Sequence, residues 1–248
     1  MAPQNSISKS AFSHRHKNAA IILAGGKSSR NQQNIPNQFI NILGKPVIVY
    51  CLEAYQAHPS IDDIYIVCLK GWEQIVNAYA EQYHITKLCG LIPGAPSGIL
   101  SVKNGLESIV ANYDKNDVVI FQESTRPMIS IDMISKLLQA CYENGSANIC
   151  QSMRDYVQFM YLDNNVQYLN RDSIVCLESP EAYRLEIIMN VFETAKKKQH
   201  SLDESCCAML LFNLGYRVNF IEGSVNNIKI VRQEDVAIVN ALLKQSNT

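Results

Sequence analysis

The stretch Ala19-Ala-Ile-Ile-Leu-Ala-Gly-Gly-Lys-Ser-Ser-Arg30 joins a short apolar run to a glycine-rich loop, a pattern that indicates an α/β fold. The continuous apolar residues 19–23 indicate a strand that is buried on both faces, as in a parallel sheet. The glycines that follow let the backbone approach a phosphate closely, and successive amides can form an anion-binding nest. Lys27 and Arg30 add positive charge, so the loop predicts a phosphate site after the first strand.

This loop matches neither of two common phosphate-binding signatures. It lacks the first glycine of a Walker loop, because Ile21 stands five residues before Gly26-Lys27-Ser28, and it is not a G-x-G-x-x-G fingerprint. Ser28 and Ser29 supply hydroxyl groups beside the two cations. A tight strand–helix turn with surface charges is the alternative interpretation. Phosphate binding is favoured because glycines and cations coincide at a preferred crevice of α/β sheets.

Strand and helix patterns alternate through the first 151 residues. Apolar runs predict strands, and apolar residues at helical spacing predict the helices between them. Strands are expected at 19–23, 64–69, 88–92, 118–121 and 147–151, and helices at 46–55, 72–83, 99–110 and 131–142, with Ser130 as the cap of the last helix. This order implies a mostly parallel sheet with helices on both faces and strand 118–121 near its centre. Ligands are then expected in the loops after Leu23, Ile92 and Phe121.

The alternation ends after residue 151. Two β-rich runs flank a short turn and predict a protruding β-arm near 152–172, whose apolar residues need a cover. Helices near 184–198, 203–214 and 233–243 and a strand at 217–221 complete the pattern. With no repeat and no low-complexity linker, residues 19–248 are expected to form a single domain after a disordered polar tail at 1–18.

Composition limits the possible functions. Of the 248 residues, 47% are hydrophobic and 18% are charged, which is typical of a globular protein. The formal net charge of −1 gives no support to a nucleic-acid binder or an anionic-membrane binder. No apolar run approaches the roughly 20 residues of a membrane span, and the polar N-terminus does not resemble a secretory signal. The 8 cysteines show no C-x-x-C spacing, so free thiols in the reducing cytoplasm are expected rather than a zinc site.

A colinear series of motifs from about residue 19 to 243 carries a family resemblance. The glycine loop resembles that of nucleotidyltransferases, which join a nucleoside triphosphate to a phosphorylated acceptor. The further segments are Ile35-Pro-Asn-Gln-Phe39, Leu43-Gly-Lys-Pro-Val47, Glu123-Ser-Thr-Arg-Pro127, Ser179-Pro-Glu181, Asp203-Glu204 and Glu222-Gly with Asn227-Ile-Lys229. They resemble segments of methylerythritol-phosphate cytidylyltransferase and ribitol-5-phosphate cytidylyltransferase, where Ser179-Pro-Glu181, for example, corresponds to Thr-Pro-Gln.

The resemblance implies an α/β, Rossmann-like nucleotidyltransferase fold and a transfer reaction. The phosphate of a polyol phosphate attacks the α-phosphorus of CTP and expels pyrophosphate, a step that needs positioning and neutralisation of charge. The resemblance also implies Mg²⁺ as the metal, CTP and a small phosphorylated polyol as ligands, and a homodimer formed through the arm. Isoprenoid or polyol-phosphate metabolism is the implied setting.

Roles carried over from the family give a set of candidate site residues. The catalytic candidates are Arg30 and Lys229, with Lys27 as a substitute cation. The nucleotide-binding candidates are Leu23, Ala24, Gly25, Gly26, Ser28, Ser29, Gly94, Ser101 and Glu123, of which Glu123 is also the metal-ligand candidate. The acceptor-binding candidates are Arg126 and, in the arm, Asp155 and Arg171.

Several positions depart from the family pattern. Asn37 stands where the family has a lysine, Gly98 where it has an arginine and Asn226 where it has an aspartate, while Glu123 replaces another aspartate and Gln158 an arm lysine. Losing a cation beside a developing oxyanion can cost about 3 kcal/mol. Three functions therefore stay open: an active cytidylyltransferase, a catalytically degenerate paralogue that binds a nucleotide or a protein partner, and a transferase with another nucleotide preference.

Overall fold

The computed structural model describes residues 16–27, 35–162 and 165–246, in which strands and helices alternate as far as residue 152. The strands are β1 (Asn18–Ala24), β2 (Asn41–Ile42), β3 (Lys45–Pro46), β4 (Asp63–Cys68), β5 (Leu88–Pro93), β6 (Val118–Glu123), β7 (Ser146–Ser152), β8 (Gln158–Leu162), β9 (Asn165–Leu169), β10 (Val175–Arg184) and β11 (Phe220–Glu222). The helices are α1 (Val47–Ala57), α2 (Glu73–Gln82), α3 (Gly98–Ile109), α4 (Ile131–Asn144), α5 (Leu185–Lys197), α6 (Cys207–Asn213) and α7 (Gln233–Ser246). Strand β1 begins one residue inside the tail predicted at 1–18, and residues 1–15 lie outside the described part.

The main sheet has the strand order β11-β7-β10-β6-β1-β4-β5. Strands β6, β1, β4 and β5 pair in parallel, and so do β7 and β11. Within this sheet as described, only β10 is antiparallel to its neighbours, β6 and β7. The predicted mostly parallel sheet is confirmed, and β6 lies at its centre as expected.

Strand β1 is apolar throughout because helices cover both faces of the sheet. Ala20 and Ile22 belong to a buried cluster with residues of α1, α2 and α4. Ala19 and Ile21 belong to a second cluster with residues of α3, α5 and α6. Successive residues of a strand point to opposite faces, so a strand covered on both sides requires a continuous apolar run.

Strand β10, like the two-residue strands β2 and β3, is not predicted by the sequence patterns. Pro180 lies within it, and a proline argues against a central strand because it cannot donate to the ladder. The register with β7 shifts between Leu177 and Glu181, so the proline lies at an irregularity of the pairing, where a missing donor is tolerated. From Glu181 to Arg184 the strand then pairs regularly with β6. This strand brings otherwise unpredicted side chains to the end of β6.

The helices agree with their predicted bounds to within three residues, except α6. Ser130 caps α4 as predicted, because its hydroxyl accepts a hydrogen bond from the amide of Met133 at 3.2 Å. Residues 203–206 do not join α6, since the Glu204 side chain turns inward and accepts hydrogen bonds from His200 and Asn213. Among the described helices, none is both long enough and apolar enough to cross a bilayer.

Strands β8 and β9 form the predicted hairpin arm. They pair antiparallel, with Gln158 opposite Leu169 and Leu162 opposite Asn165. The rings of Phe159 and Tyr168 meet edge to face, with centroids 6.0 Å apart. Large apolar side chains of the arm are nevertheless exposed, namely Tyr156, Val157, Phe159, Met160, Tyr161, Leu162, Val166 and Tyr168. Exposed apolar surface of this extent is typical of an interaction site.

Candidate active site

A cavity of about 500 Å³ lies at the carboxyl ends of β1 and β6. Leu23 and Gly26 line it from β1 and the loop that follows, Glu123 and Arg126 from the end of β6, and Lys229 from the loop before α7. From β1 the chain continues to β4 on one side and reaches β6 on the other, so the cavity lies at the switch point of the sheet. The loops predicted from the strand order therefore meet where a ligand was expected.

Glu123, the last residue of β6, binds two cations in the cavity wall. The Nζ of Lys229 donates a short hydrogen bond to Oε1, and the Nε of Arg126 donates to Oε2 at 2.8 Å. Burial by itself raises the pKa of Glu123, but the charges of Lys229 and Arg126 outweigh burial and lower the pKa below its usual range. Glu123 is therefore a carboxylate that holds both cations in place.

Arg126 connects this ion cluster to two further segments. One terminal nitrogen donates to the carbonyl of Asn227 at 2.6 Å and lies 3.6 Å from the carboxylate of Glu178. The side-chain amide of Asn227 donates to Glu178 at 2.8 Å and to the carbonyl of Ser179 at 2.9 Å. Arg126 thus fixes β10 and the loop that carries Lys229 against the end of β6.

Asn37, at the position of the family lysine, has a structural part in the site. It is buried in the cavity lining, and its amide donates to the carbonyls of Ile230 and Val231, both at 3.2 Å. These carbonyls directly follow Lys229 in the chain. An amide at position 37 therefore braces the segment from which Lys229 reaches Glu123.

The glycine loop is held close to the loop after β5. A Cβ on Gly25 would lie 3.3 Å from the Cα of Gly94, so the two backbones approach closely because neither residue has a side chain. The amide of Gln38 donates to the carbonyls of Ala24 and Gly26, both at 2.9 Å. The described part of the loop is therefore positioned by backbone contacts beneath the cavity.

The structure places most of the described candidate residues at or beside the cavity. Leu23, Gly26, Glu123, Arg126 and Lys229 line it. Gly25 and Gly94 are neighbours, Ala24 is buried at the end of β1, and the Ser101 hydroxyl accepts a hydrogen bond from the Ala95 amide at 3.0 Å. These last residues form the supporting layer around the crevice.

Other candidates lie elsewhere in the described chain. Lys27 is exposed and is not part of the cavity lining. Asp155 and Arg171 are exposed at the base of the arm, also outside the lining. Ser28, Ser29 and Arg30 lie outside the described residues. The expected roles of these six residues stay predictions.

Several lining residues were not among the predicted site residues. Glu178, Ser179 and Glu181 reach the cavity from β10, and Cys206 and Met209 reach it from the start of α6. Ser179-Pro-Glu181 is one of the segments that carry the family resemblance, which is the signal that could have identified them. Burial, and then the charge of Glu181, raise the pKa of Cys206 to about 11, so this thiol is protonated at neutral pH.

The described residues of the site can hold a magnesium ion only if a bound phosphate and water supply the rest of its coordination shell. The described residues contain no group of three or more His, Cys, Asp and Glu side chains fit to hold a metal. Mg²⁺ commonly takes one or two carboxylates and completes its shell with phosphate oxygens and water. Glu123 can serve as such a carboxylate, because each of its oxygens keeps acceptor capacity beside its cation.

Comparison with known proteins gives the same picture over nearly the whole chain. The sequence model of the 2-C-methyl-D-erythritol 4-phosphate cytidylyltransferase family matches residues 18–245. The ribitol-5-phosphate cytidylyltransferase of Lacticaseibacillus paracasei is 27% identical over 228 residues, covering 91% of this chain and 97% of that protein. The ribitol-5-phosphate cytidylyltransferase of Vibrio parahaemolyticus is 30% identical over 228 residues, covering 91% and 95%. The 2-C-methyl-D-erythritol 4-phosphate cytidylyltransferase of Clostridium botulinum is 29% identical over 233 residues, covering 92% and 98%.

A solved structure shows the same fold. The 4-diphosphocytidyl-2C-methyl-D-erythritol synthase of Anaerococcus prevotii superposes with a TM-score of 0.78 at 24% identity, covering 92% of this chain and 96% of that one. The predicted Rossmann-like nucleotidyltransferase fold is confirmed by this likeness and by the strand order. The chain therefore belongs to the 2-C-methyl-D-erythritol 4-phosphate cytidylyltransferase family of nucleotidyltransferase enzymes.

Proposed function

We propose that the chain transfers CMP from CTP to a polyol phosphate of the ribitol-5-phosphate or methylerythritol-phosphate type and releases pyrophosphate. The observation that carries this proposal is the ion cluster of Glu123, Arg126 and Lys229 in a cavity at the switch point of the sheet. The named activities of relatives that match more than nine-tenths of the chain support CTP and a polyol phosphate as substrates.

The reaction needs charge neutralisation rather than a covalent intermediate. A bond forms from a phosphate oxygen of the acceptor to the α-phosphorus of CTP while the bond to the bridging oxygen breaks, and pyrophosphate leaves with that electron pair. Lys229 can exchange Glu123 for a phosphate oxygen, because its side chain is 37% exposed and can move. Arg126 is more deeply buried and better fixed, so it suits a stationary phosphate.

Mg²⁺ belongs to this proposal through the family. Glu123 would hold it together with phosphate oxygens, and the bound ion would neutralise charge on the phosphates. Because Lys229 and Arg126 already bind Glu123, the ion and the two cations would share one carboxylate.

A homodimer formed through the arm is a further part of the proposal. Phe159 is 59% exposed and Tyr161 is 70% exposed, and a second copy of the chain would cover both. Asp155 and Arg171 are exposed at the base of the same arm, so they are accessible to an acceptor bound to the other copy.

A catalytically degenerate nucleotide binder is the second candidate function. The observation that favours it is the buried amide of Asn37 at the position of the family lysine, together with the internal pairing of Lys229. Such a protein would bind CTP in the same cavity without turning it over.

Pyrophosphate release tests the two candidates. The chain is incubated with Mg²⁺, each of the four nucleoside triphosphates and each polyol phosphate. Release that requires CTP and one acceptor supports the transferase, whereas CTP binding without release from any pair supports the degenerate binder. Lys229→Gln is compared with Lys136→Gln, a matched change at an exposed surface ion pair on α4.

A further inference from the structure

Buried oxygen atoms of Asn148, Tyr183 and Glu181 lie in a row beside the cavity. The two hydrogen bonds that join them require two protons, and with an ionised Glu181 only the hydroxyl proton of Tyr183 would be available. The Oη of Tyr183 lies 2.6 Å from Oδ1 of Asn148 and 2.7 Å from Oε2 of Glu181. A tyrosine hydroxyl has a single proton and can donate to only one of these acceptors. Since both O···O distances are those of hydrogen bonds, a second proton must lie in the chain of three oxygens.

Asn148 cannot supply that proton. Its Nδ2 donates to the carbonyl of Asn219 at 3.0 Å, so its Oδ1 faces Tyr183 as an acceptor. The reversed amide would place two acceptor oxygens against each other at Asn219. The proton therefore resides on Glu181, whose O–H donates to Tyr183 while Tyr183 donates to Asn148. The amide of Ala208 donates to the same oxygen of Glu181 at 2.9 Å. This oxygen can accept that hydrogen bond whether Glu181 is protonated or ionised.

We infer that Glu181 is a protonated acid in the cavity wall, and that loss of its proton weakens the binding of phosphate-bearing ligands there. The inference rests on the proposed function only in taking this cavity as the nucleotide site. With Glu181 neutral, the carboxylates of Glu123 and Glu178 balance the cations Arg126 and Lys229. With Glu181 ionised, three carboxylates face two cations among the described residues of the lining, and the added negative charge weakens the attraction of an anion.

The groups that face Glu181 come from every neighbouring element. They are Glu123 on β6, Tyr183 on β10, and Cys206 and Cys207 at the start of α6, while β7 contributes the neutral Asn148. Burial raises the pKa of Glu181 to about 7, with help from the charge of Glu123 and against the hydrogen bonds that Tyr183 and Ala208 would donate to the carboxylate. Above this pH the proton passes to water, and the cavity gains one negative charge.

Infrared difference spectroscopy reads the proton directly, with no substrate present. Spectra of the full chain are compared between about pH 5.5 and about pH 8.5. We expect a carboxylic acid C=O band that disappears as the pH rises through about 7. The band should be absent from Glu181→Gln and retained in Glu107→Gln, a matched change of an exposed glutamate on α3.

Binding of CTP over the same pH range tests the consequence. The phosphates of CTP titrate identically for both proteins, so the ratio of wild-type to Glu181→Gln dissociation constants isolates Glu181. We expect this ratio to rise about tenfold from the acid to the alkaline end, as one added charge near the phosphates predicts. If Glu181→Gln does not fold, Tyr183→Phe is tested instead. Tyr183 accepts from the acid but would donate a stronger bond to the carboxylate, so its loss should move the disappearance of the band to higher pH.

The outcomes separate this inference from the proposed function. Absence of the band in the wild type, or the same pH dependence of CTP binding in wild type and Glu181→Gln, overturns the inference. A band and a ratio that behave as expected support it. If they do so while no acceptor yields pyrophosphate, the proposed function fails and the protonated Glu181 stands.

Discussion

In the cavity, charged side chains are shielded and paired, whereas in the arm large apolar side chains are left exposed. Glu123, Arg126 and Lys229 satisfy one another within one chain. Phe159 and Tyr161 have no comparable cover in the described part of the chain. Buried charges are tolerated when they are paired, and exposed apolar surface needs another surface. The ion cluster is therefore assembled within one chain, whereas the described part of that chain leaves the arm uncovered.

Lys229→Gln, which alters the ion cluster of the cavity, should have the largest effect. The variant removes a cation from the site of charge development, so kcat/KM for CMP transfer should fall by about 10²–10³-fold. The melting temperature should change little, because the Lys229 side chain is partly exposed. Steady-state pyrophosphate release and a thermal melt measure the two quantities. A similar loss in Lys136→Gln would show that the effect does not come from the cavity.

The double substitution Phe159→Ser with Tyr161→Ser removes exposed apolar surface from the arm. Two apolar anchors are lost, so self-association should weaken by about 10²-fold while the fold of each chain is kept. Sedimentation equilibrium measures association, and circular dichroism measures the fold. Ile75→Ser, at an exposed position on α2, is the control. Unchanged association in the double variant would remove the arm as the dimer interface.

Asn37→Ala alters the support of the cavity without removing a charge. Two hydrogen bonds to the segment after Lys229 are lost. The free energy of unfolding should drop by about 1–2 kcal/mol, and kcat/KM should fall about tenfold as Lys229 becomes less well placed. Denaturant unfolding and steady-state kinetics test this, with Asn144→Ala at the end of α4 as the control. Wild-type kinetics in Asn37→Ala would contradict a bracing role.

The smallest expected effect concerns His58, a buried and neutral histidine. Its Nδ1 accepts from the amide of Ser60 at 3.1 Å, and its Nε2 lies 2.9 Å from the hydroxyl of Ser135. Burial, and then the charge of Lys87, lower the pKa of His58. The unfolded chain therefore takes up this proton more readily, so stability present above about pH 6.5 is lost as the pH falls below it.

Thermal melts across that range test the prediction for His58. The wild type should lose more stability between neutral and mildly acidic pH than His58→Gln does. His84→Asn is the control, because His84 is exposed and its positive φ of 53° is one that asparagine tolerates. Equal losses in the wild type and His58→Gln would show that His58 is not the group responsible.

The sequence predicted what depends on local patterns and missed what depends on tertiary pairing. Strand β1 and the central position of β6 follow from continuous apolar runs, and both are confirmed. Strand β10 could not be predicted from the sequence, because Pro180 interrupts its strand pattern. Only the irregular pairing with β7 accommodates this proline. For the same reason, the contacts of Glu181 could not be predicted from the sequence. The pairing of Lys229 with Glu123 joins residues 106 apart, which no local pattern encodes.

The most direct test of CMP transfer in this cavity is ³¹P nuclear magnetic resonance of a reaction containing CTP, Mg²⁺ and a polyol phosphate. We expect the CTP signals to decay while pyrophosphate and a CDP-polyol appear in equal amounts, and Lys229→Gln to slow the appearance of both. Unchanged CTP with ribitol-5-phosphate and with methylerythritol phosphate, under conditions in which CTP is bound, would contradict this expectation.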